Sequence, residues 1–302
     1  MVMPRNPLNP ESLAMISPDK KPAKRAELTD KGYASGELEK FEPEEFKELR
    51  KSQAAKLKEF FGRDINVPPI PDGITPDKLE EWEKIGFELR YLPKIKMEES
   101  ANYPGWKHKP GRRHTPNSQY GIEFFDEIEK ITSLKGLSPN QLPGAWLLCD
   151  IRPKPNRKTF GAQSYEDDAL IQGVLRKLAT QGVLNKVAGE GLRNYIDPGI
   201  FKNFEFWTAI KTALGVDKIP DAIARLPRVI EANVMSQGTG FHNTTSAEWC
   251  EEYSKKNAVV GFRMLSGRSD YGGASFVSSD YFPRGSIGFR PLVVFPHHPA
   301  ES

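Results

Sequence analysis

Apolar residues recur at helical spacing in several stretches of the first half of the chain. In "EPEEFKELRKSQAAKLKEFFG" they stand three or four positions apart, acidic residues fill the first turn and Gly62 ends the run, so this stretch predicts a helix. "TPDKLEEWEKIG" opens with a capping threonine and a proline at the first helical position, which predicts a second helix. "YGIEFFDEIEKITSLKG" predicts a third.

The pattern changes at Leu142. "AWLLCDI" is a short apolar run bounded by Gly and Pro, which is typical of a buried strand. "YEDDALIQGVLRKLATQG" and "NFEFWTAIKTALGV" predict two further helices, and "AVVGFRML" and "GFRPLVVF" predict short strands. Helices that come first and short strands that follow favour an α+β fold.

These patterns divide the chain into three parts. Residues 1–40 are rich in Pro, Lys, Glu and Ser and lack periodic apolar positions, which predicts an extended or disordered arm. Residues 41–138 predict a helical region without a readable motif, through which the chain could oligomerise. Residues 139–302 predict a single α+β domain.

Charge and composition narrow the function. The 302 residues carry a net charge of only +3, so neither nucleic acid nor a membrane surface is expected as a partner. No apolar run reaches the length of a membrane span, and the first residues lack the apolar centre of a signal peptide. We therefore expect a soluble chain without membrane insertion. Cys149 and Cys250 lie in apolar surroundings, and we expect two buried free thiols.

Three motifs follow one another in the second half of the chain. "RLP" at residues 225–227 is followed by Glu231, "AEWCEEY" begins at Ala247, and "FRMLSGRS" leads to "GFRPLVVF". This order resembles the formylglycine-generating-enzyme branch of the C-type lectin fold, which carries an RLP-then-Glu helix, a W-E-W-x-x-D segment, an R-x-x-x-G-G-S strand and a closing G-F-R. The resemblance covers roughly residues 140–295 and implies a C-type lectin-like domain at 139–302.

Eight residues of these motifs are expected to support the fold. Arg225 and Arg290 are predicted to be buried guanidiniums that pair with carbonyls or with a carboxylate such as Glu231 or Glu248. Gly288 lets the backbone pass close to a neighbouring strand. The predicted scaffold residues are Arg225, Glu231, Glu248, Trp249, Gly267, Gly288, Phe289 and Arg290.

The enzymes of this branch use residues that this chain lacks. The oxidase binds copper through a cysteine pair just before G-F-R, but residues 266–287 contain no cysteine, and Cys250 is expected in the W-E-W-type helix. The related iron sulfoxide synthases need three histidines, whereas His242 is isolated and His297 and His298 are terminal. No E-P-N or Q-P-D triplet marks a calcium-dependent sugar site. We expect a non-enzymatic protein with no cofactor, no metal site and no catalytic residue.

Segment 266–287 is written in a restricted alphabet. From Gly267 to Arg290 there is no Lys, Glu, Gln, Met or Trp, and Tyr and Phe alternate with Ser, Gly and Asp. This mixture is typical of binding loops. Every residue from Leu265 to Arg290 belongs to the set of amino acids that codons ending in a pyrimidine can encode, and mutation of the adenines in AAC or AAT produces that set. The variable proteins of diversity-generating retroelements are similar, since their mutagenised positions precede a fixed terminal strand.

The second resemblance implies a diversified ligand-binding protein, similar to viral tropism determinants. Its partner would be a protein or another cell-surface ligand, and its place a virion or a cell surface. Two alternatives stay open: an oxidase of the formylglycine-generating type with a relocated site, and an invariant structural protein of a virion or cell surface. The predicted ligand-binding residues are Ser269, Asp270, Tyr271, Ser275, Phe276, Ser278, Ser279, Asp280, Tyr281 and Arg284.

Overall fold

The chain folds into a mixture of helices and antiparallel sheets. The computed structural model describes residues 42–111, 123–132, 138–152, 168–183, 198–238, 247–254, 263–267, 277–280 and 287–296. The chain divides into two units, Met1–Pro43 and Glu44–Ser302, and the elements below belong to the second. Residues 1–40, for which the sequence predicts an extended or disordered arm, lie outside the described residues. The helices are α1 (Glu44–Phe61), α2 (Pro76–Lys84), α3 (Ala169–Thr180), α4 (Phe204–Ala213) and α5 (Val229–Gly238). The strands are β1 (Phe87–Leu92), β2 (Ile131–Thr132), β3 (Ala145–Asp150), β4 (Ile223–Arg225), β5 (Ala247–Ser254), β6 (Arg263–Ser266), β7 (Val277–Asp280), β8 (Ile287–Gly288) and β9 (Leu292–Pro296).

The helices begin and end where the local sequence predicts. The hydroxyl of Thr75 accepts a hydrogen bond from the backbone N–H of Lys78 and thereby caps α2, and the Asp168 carboxylate caps α3 in the same way. Gly62, with φ of 69°, follows α1 and adopts the left-handed conformation that favours glycine. The predictions for α1, α2, α3 and α4 are confirmed.

A four-stranded antiparallel sheet brings distant parts of the chain together. Its strand order is β1-β3-β9-β4. The strand that "AWLLCDI" predicts is present as β3, and all six of its residues are buried because β1 and β9 flank it on either side. The pairing of β1 with β3 extends from Phe87 opposite Asp150 to Leu92 opposite Ala145. The region that the sequence predicts to be helical, 41–138, therefore contributes an edge strand to the sheet of the following region.

A second sheet carries the motifs of the C-terminal part. The strand order is β2-β5-β6-β7, and β8 pairs in parallel with β5. The expectation that "AEWCEEY" forms a helix is wrong, since these residues form β5. The physical reason is that Glu251 and Tyr253 line one side of this segment while Glu252 contacts the start of α5 on the other, the two-residue alternation of a strand.

The helix predicted for "YGIEFFDEIEKITSLKG" is also wrong over its described residues, 123–132. This stretch contains turns and a single 3₁₀ turn at Ile128–Lys130, and then enters β2. Phe124 is completely buried and packs edge-on against Phe125, and Ile131 pairs with Ser254 of β5. Tertiary packing and strand pairing therefore override the local helical spacing.

Two tryptophans connect the N-terminal elements of this unit to its later helices. The Trp82 indole N–H of α2 donates to the carbonyl of Leu214, 2.9 Å away, just after α4. The Trp106 indole N–H donates to the side-chain oxygen of Asn233 in α5 at 2.7 Å. Both rings are buried, so each indole N–H has the partner that burial requires.

Among the described helices, none combines the length and the apolar character that crossing a membrane requires.

Candidate ligand-binding surface

The predicted binding segment contributes a strand to the second sheet. β7 runs antiparallel to β6, with Ser278 opposite Leu265 and Asp280 opposite Arg263. Segment 266–287 was expected to form a loop, but residues 277–280 pair through their backbone instead. Of the predicted ligand-binding residues, Ser278, Ser279 and Asp280 lie in β7. The others lie outside the described residues: Ser269, Asp270, Tyr271, Ser275, Phe276, Tyr281 and Arg284.

Arg290 fixes the point where the chain passes from one sheet to the other. Only Phe289, Arg290 and Pro291 separate β8 in the second sheet from β9 in the first. The Arg290 Nε lies 2.7 Å and 2.9 Å from the two carboxylate oxygens of Glu248 in β5. Its Nη1 donates to two backbone carbonyls near the end of β3, each at 2.8 Å. This one buried guanidinium therefore ties β5 to the first sheet.

A second ion-pair cluster joins β4 to α5. Arg225 donates to both carboxylate oxygens of Glu231 at 2.7 Å, and Arg228 adds a donor from Nε at 3.0 Å. Glu231 is completely buried. Burial alone would raise its pKa, but the charges and hydrogen bonds of Arg225 and Arg228 lower the pKa to about 2. Arg225 also lies 3.4 Å from Glu251 of β5, so this cluster reaches the second sheet as well.

The other predicted scaffold residues lie near these contacts. Trp249 and Phe289 are each 1% exposed, and the Phe289 ring packs edge-on against Phe201 at 5.0 Å between centroids. Gly288 pairs with Glu248, and Gly267 is buried directly after β6. The pairing expected of Arg225 with Glu231 and of Arg290 with Glu248 is therefore present in the structure.

Glu252 is a buried carboxyl group that forms no ion pair with an arginine of the described residues. It is completely buried in β5, and its oxygens accept the backbone N–H of Val229 at 3.1 Å and 3.2 Å. Burial raises the pKa of Glu252 to about 8, and the charge of Arg228 opposes that rise only in part. The group is therefore protonated in the folded protein at neutral pH.

Replacing Glu252 with glutamine is expected to raise stability increasingly as the pH rises. The folded protein holds the Glu252 proton up to a pKa of about 8, against 4.5 for the ordinary carboxyl group. The wild type therefore loses stability between pH 4.5 and 8, as the unfolded chain releases this proton first. Glutamine keeps an oxygen for the Val229 N–H and does not titrate. Thermal unfolding from pH 5 to 8.5 measures this, with exposed Glu98→Gln as the control, and a difference between variant and wild type that stays constant with pH contradicts the prediction.

Beside β5 lies an open cleft with aromatic walls. It has a volume of about 610 Å³ and is bounded by α4, β4, β5 and β6; we call it the α4–β5 cleft. Its aromatic side chains are Phe201, Phe204, Trp207 and Tyr253. Phe201 and Trp207 lie nearly parallel, with ring centroids 6.1 Å apart and an interplanar angle of 29°. This stacked pair of rings forms part of the apolar wall of the cleft.

The charged lining of the cleft is mostly cationic. Among the described residues, the lining contains one carboxylate, Glu251, and four cations: Lys202, Lys211, Arg225 and Arg263. Arg263 is only 2% exposed, and its Nη1 donates to the carbonyl of Cys250 at 2.9 Å. Its guanidinium also stacks 4.5 Å from the Tyr253 ring centroid. Since Arg263 pairs with Asp280 of β7 along the backbone, the cleft lies one strand from the predicted binding segment.

The sequence motifs do not include four functional candidates that the structure reveals: Arg228, Glu252, Arg263 and Trp207. One signal was available for Arg228, because the spacing of three residues to Glu231 places both on one face of a helix start. The two-residue alternation in "AEWCEEY" indicated that Glu252 and Tyr253 face opposite sides of a strand. No local pattern identified the cleft, because its lining comes from several separate segments.

Both cysteines are free and buried, as predicted. Burial raises the pKa of the Cys149 thiol to about 12, so this sulfur stays protonated. Cys149 lies 3.5 Å from the sulfur of Met235 in α5. Within the ranges that the structure describes, there is no group of three His, Cys, Asp or Glu side chains placed to hold a metal ion.

Comparison with known proteins identifies no relative. The chain matches no protein-family model, no curated protein and no solved structure.

Proposed function

We propose that this chain is a non-enzymatic ligand-binding protein of C-type lectin-like fold. Segment 266–287 is its diversified binding surface, and a protein or cell-surface molecule is the ligand. The C-type lectin-like fold and the relationship to the variable proteins of diversity-generating retroelements are part of this proposal.

The motifs behind the resemblance lie next to one another in space. Arg225 of "RLP" contacts Glu231 at 2.7 Å and Glu251 of "AEWCEEY" at 3.4 Å. Glu248 of "AEWCEEY" pairs with Arg290 of "GFR". Residues separated by tens of positions in the chain therefore form two clusters of buried ion pairs that both include a glutamate of β5, as expected if the motifs were kept together to build a single platform.

The observation that carries the proposal is that this platform is held by residues outside segment 266–287. Arg225, Glu231, Glu248 and Arg290 all lie before or after the segment. Within the segment, β7 is held to β6 by backbone pairing, which depends little on the identity of the side chains. Side chains of the segment can therefore change while the platform keeps its contacts. Fixed backbone positions also lower the entropy cost of ordering a binding surface.

We expect the combined variant Tyr271→Ala, Phe276→Ala and Tyr281→Ala to have a free energy of unfolding within about 0.5 kcal/mol per site of the wild-type value. The reason is that the proposal assigns all three rings to the binding surface. The matched control is Phe289→Ala, which removes a buried ring and is expected to cost about 3–5 kcal/mol. Urea denaturation followed by circular dichroism measures both. A loss in the combined variant as large as in Phe289→Ala would show that the three rings are core residues and would refute the proposal.

A library tests the binding function directly. The ten predicted ligand-binding positions are randomised with codons ending in a pyrimidine, displayed on yeast and selected against a defined protein such as lysozyme. We expect folded binders to emerge, while the combined alanine variant stays a non-binder. A library that yields only unfolded chains refutes a replaceable surface. Stoichiometric copper or iron in the purified protein would instead favour the oxidase.

A further inference from the structure

We propose that the α4–β5 cleft binds a small aromatic carboxylate. The described residues that line it all lie outside segment 266–287. Two properties of the cleft, its apolar walls and its cationic lining, define the chemistry of the ligand.

The apolar walls suit a flat ring system. The Trp207 indole N–H donates to the carbonyl of Phe201 at 2.9 Å, which fixes the Trp207 ring beside the Phe201 ring. At the rim, Phe204 in the first turn of α4 is 79% exposed. An exposed phenylalanine next to two fixed aromatic rings gains favourable contacts when a planar apolar molecule covers it.

The charged lining favours an anion. Arg225 is neutralised by Glu231 and Glu251, so the remaining positive charge among the described lining residues comes from Lys202, Lys211 and Arg263. Lys202 lies over the Tyr253 ring with its Nζ 5.4 Å from the centroid, and Lys211 donates to the carbonyl of Ala222 at 3.3 Å. Neither contact neutralises the lysine charge. A carboxylate therefore complements the cleft electrostatically.

The buried guanidinium of Arg263 is a further, independent feature that favours an anionic ligand. Its side chain is 98% buried, since only 2% is exposed, and it lines the cleft. Within the described part of the chain, its Nε has no hydrogen-bond partner, and no carboxylate forms an ion pair with it. Burial also lowers its pKa. A buried guanidinium with an unpartnered donor and no paired carboxylate is destabilising, and a carboxylate bound in the cleft would supply the negative charge that Arg263 lacks.

The size of the cleft selects a small molecule. A volume of about 610 Å³ lies within the roughly 300–1,000 Å³ of small-molecule sites. Bicyclic aromatic carboxylates fit this space. Indole-3-acetate is a suitable probe. Indole-3-acetamide is the control that lacks the charge, and acetate is the control that lacks the ring.

Titration calorimetry on the full chain tests the proposal. We expect indole-3-acetate to bind at least about tenfold more tightly than indole-3-acetamide or acetate, because only the first has both the ring and the charge, and a tenfold ratio corresponds to 1.4 kcal/mol. Equal affinity for the acid and the amide, or no binding of indole-3-acetate at millimolar concentration, overturns it.

Matched variants locate the site. Lys211→Glu reverses a charge in the cleft, while Lys218→Glu makes the same change at an exposed position outside the lining. Thr208→Trp blocks the cleft, while Thr180→Trp is its control, because both threonine hydroxyls donate to the carbonyl four residues earlier in a helix. We expect a tenfold or greater loss of affinity only for Lys211→Glu and Thr208→Trp. Full binding by folded Thr208→Trp overturns the assignment.

The two proposals fail separately. The library experiment measures binding of a selected protein, whereas the titration measures binding of indole-3-acetate. A cleft that binds nothing leaves the library experiment unaffected, and a library without binders leaves the indole-3-acetate titration unaffected.

Discussion

Replacing Glu231 with glutamine lowers the free energy of unfolding by about 3–5 kcal/mol, the usual cost of removing one partner from a buried ion pair. Glu231 is completely buried and accepts hydrogen bonds from both Arg225 and Arg228. Glutamine has nearly the same shape, so the core keeps its packing. It has no charge, however, and its amide group is a donor that faces guanidinium donors. Two buried cations thereby lose their common counter-ion.

Urea denaturation at pH 7 measures this loss. The control is Glu44→Gln, which removes an exposed pair with Lys47 and is expected to change the free energy of unfolding by less than about 1 kcal/mol. A Glu231→Gln variant that loses no more than this control contradicts the prediction.

The pH dependence gives the same prediction an independent check. The pKa of Glu231 is lowered in the folded protein to about 2 from an ordinary value of 4.5, so the unfolded chain takes up this proton first as the pH falls. The stability that Glu231 contributes is therefore present above pH 4.5 and is lost as the pH falls toward 2. The difference between the wild type and Glu231→Gln should shrink over that interval and stay constant from pH 5 to 7.

Replacing Arg290 with methionine is expected to cost a comparable amount, about 3–5 kcal/mol. Methionine keeps much of the apolar stem but leaves the Glu248 carboxylate without the Arg290 Nε and leaves two carbonyls near the end of β3 without their donor. Because Arg290 lies where the chain passes between the sheets, hydrogen exchange should increase in β5 and in β3 together. Arg176→Met, on the exposed side of α3, is the matched control.

A double-mutant cycle separates the ion pair from the rest of this effect. Adding Glu248→Gln to Arg290→Met should cost less than the sum of the two single changes, with a coupling of about 0.5–3 kcal/mol. Additive losses would mean that Arg290 acts through the two carbonyls alone. A loss in Arg290→Met no larger than in Arg176→Met would contradict the role in joining the sheets.

The sequence predicts the elements whose signals are local. The cap at Thr75, the cap at Asp168 and the stop at Gly62 depend on a few neighbouring residues, and each helix they delimit is present. Strand β3 is equally readable, since an apolar run bounded by Gly and Pro fits few alternatives.

Elements that depend on partners far along the chain are not readable in this way. Residues near Phe124 have helical spacing, but the packing of the two phenylalanines and the pairing of Ile131 with Ser254 decide their conformation. The acidic residues of "AEWCEEY" are compatible with a solvated helix until Arg225, Arg290 and the start of α5 are in place around them. Those contacts come from positions more than twenty residues away on either side.

The candidate site likewise contains residues that a local motif predicts and residues that only long-range contacts bring together. Arg225 and Glu231 belong to one motif, and their pairing follows from its spacing. The role of Arg263 follows from the carbonyl of Cys250 and the ring of Tyr253 across a strand pair, and no motif connects these residues. The α4–β5 cleft exists only where β4, β5 and α4 meet, so its shape could not be predicted from any one segment.

Because β9 lies after segment 266–287, a gene that varies this segment must keep its reading frame for the first sheet to form. β9 pairs with β3 on one edge and with β4 on the other, yet it is translated after the segment that we propose to be varied. A chain that shifts reading frame or terminates within that segment lacks the middle of the first sheet. Codons ending in a pyrimidine include no stop codon, so adenine mutagenesis alone leaves translation intact. Only a copy that is translated in frame through the whole segment contains β9 and can complete the first sheet.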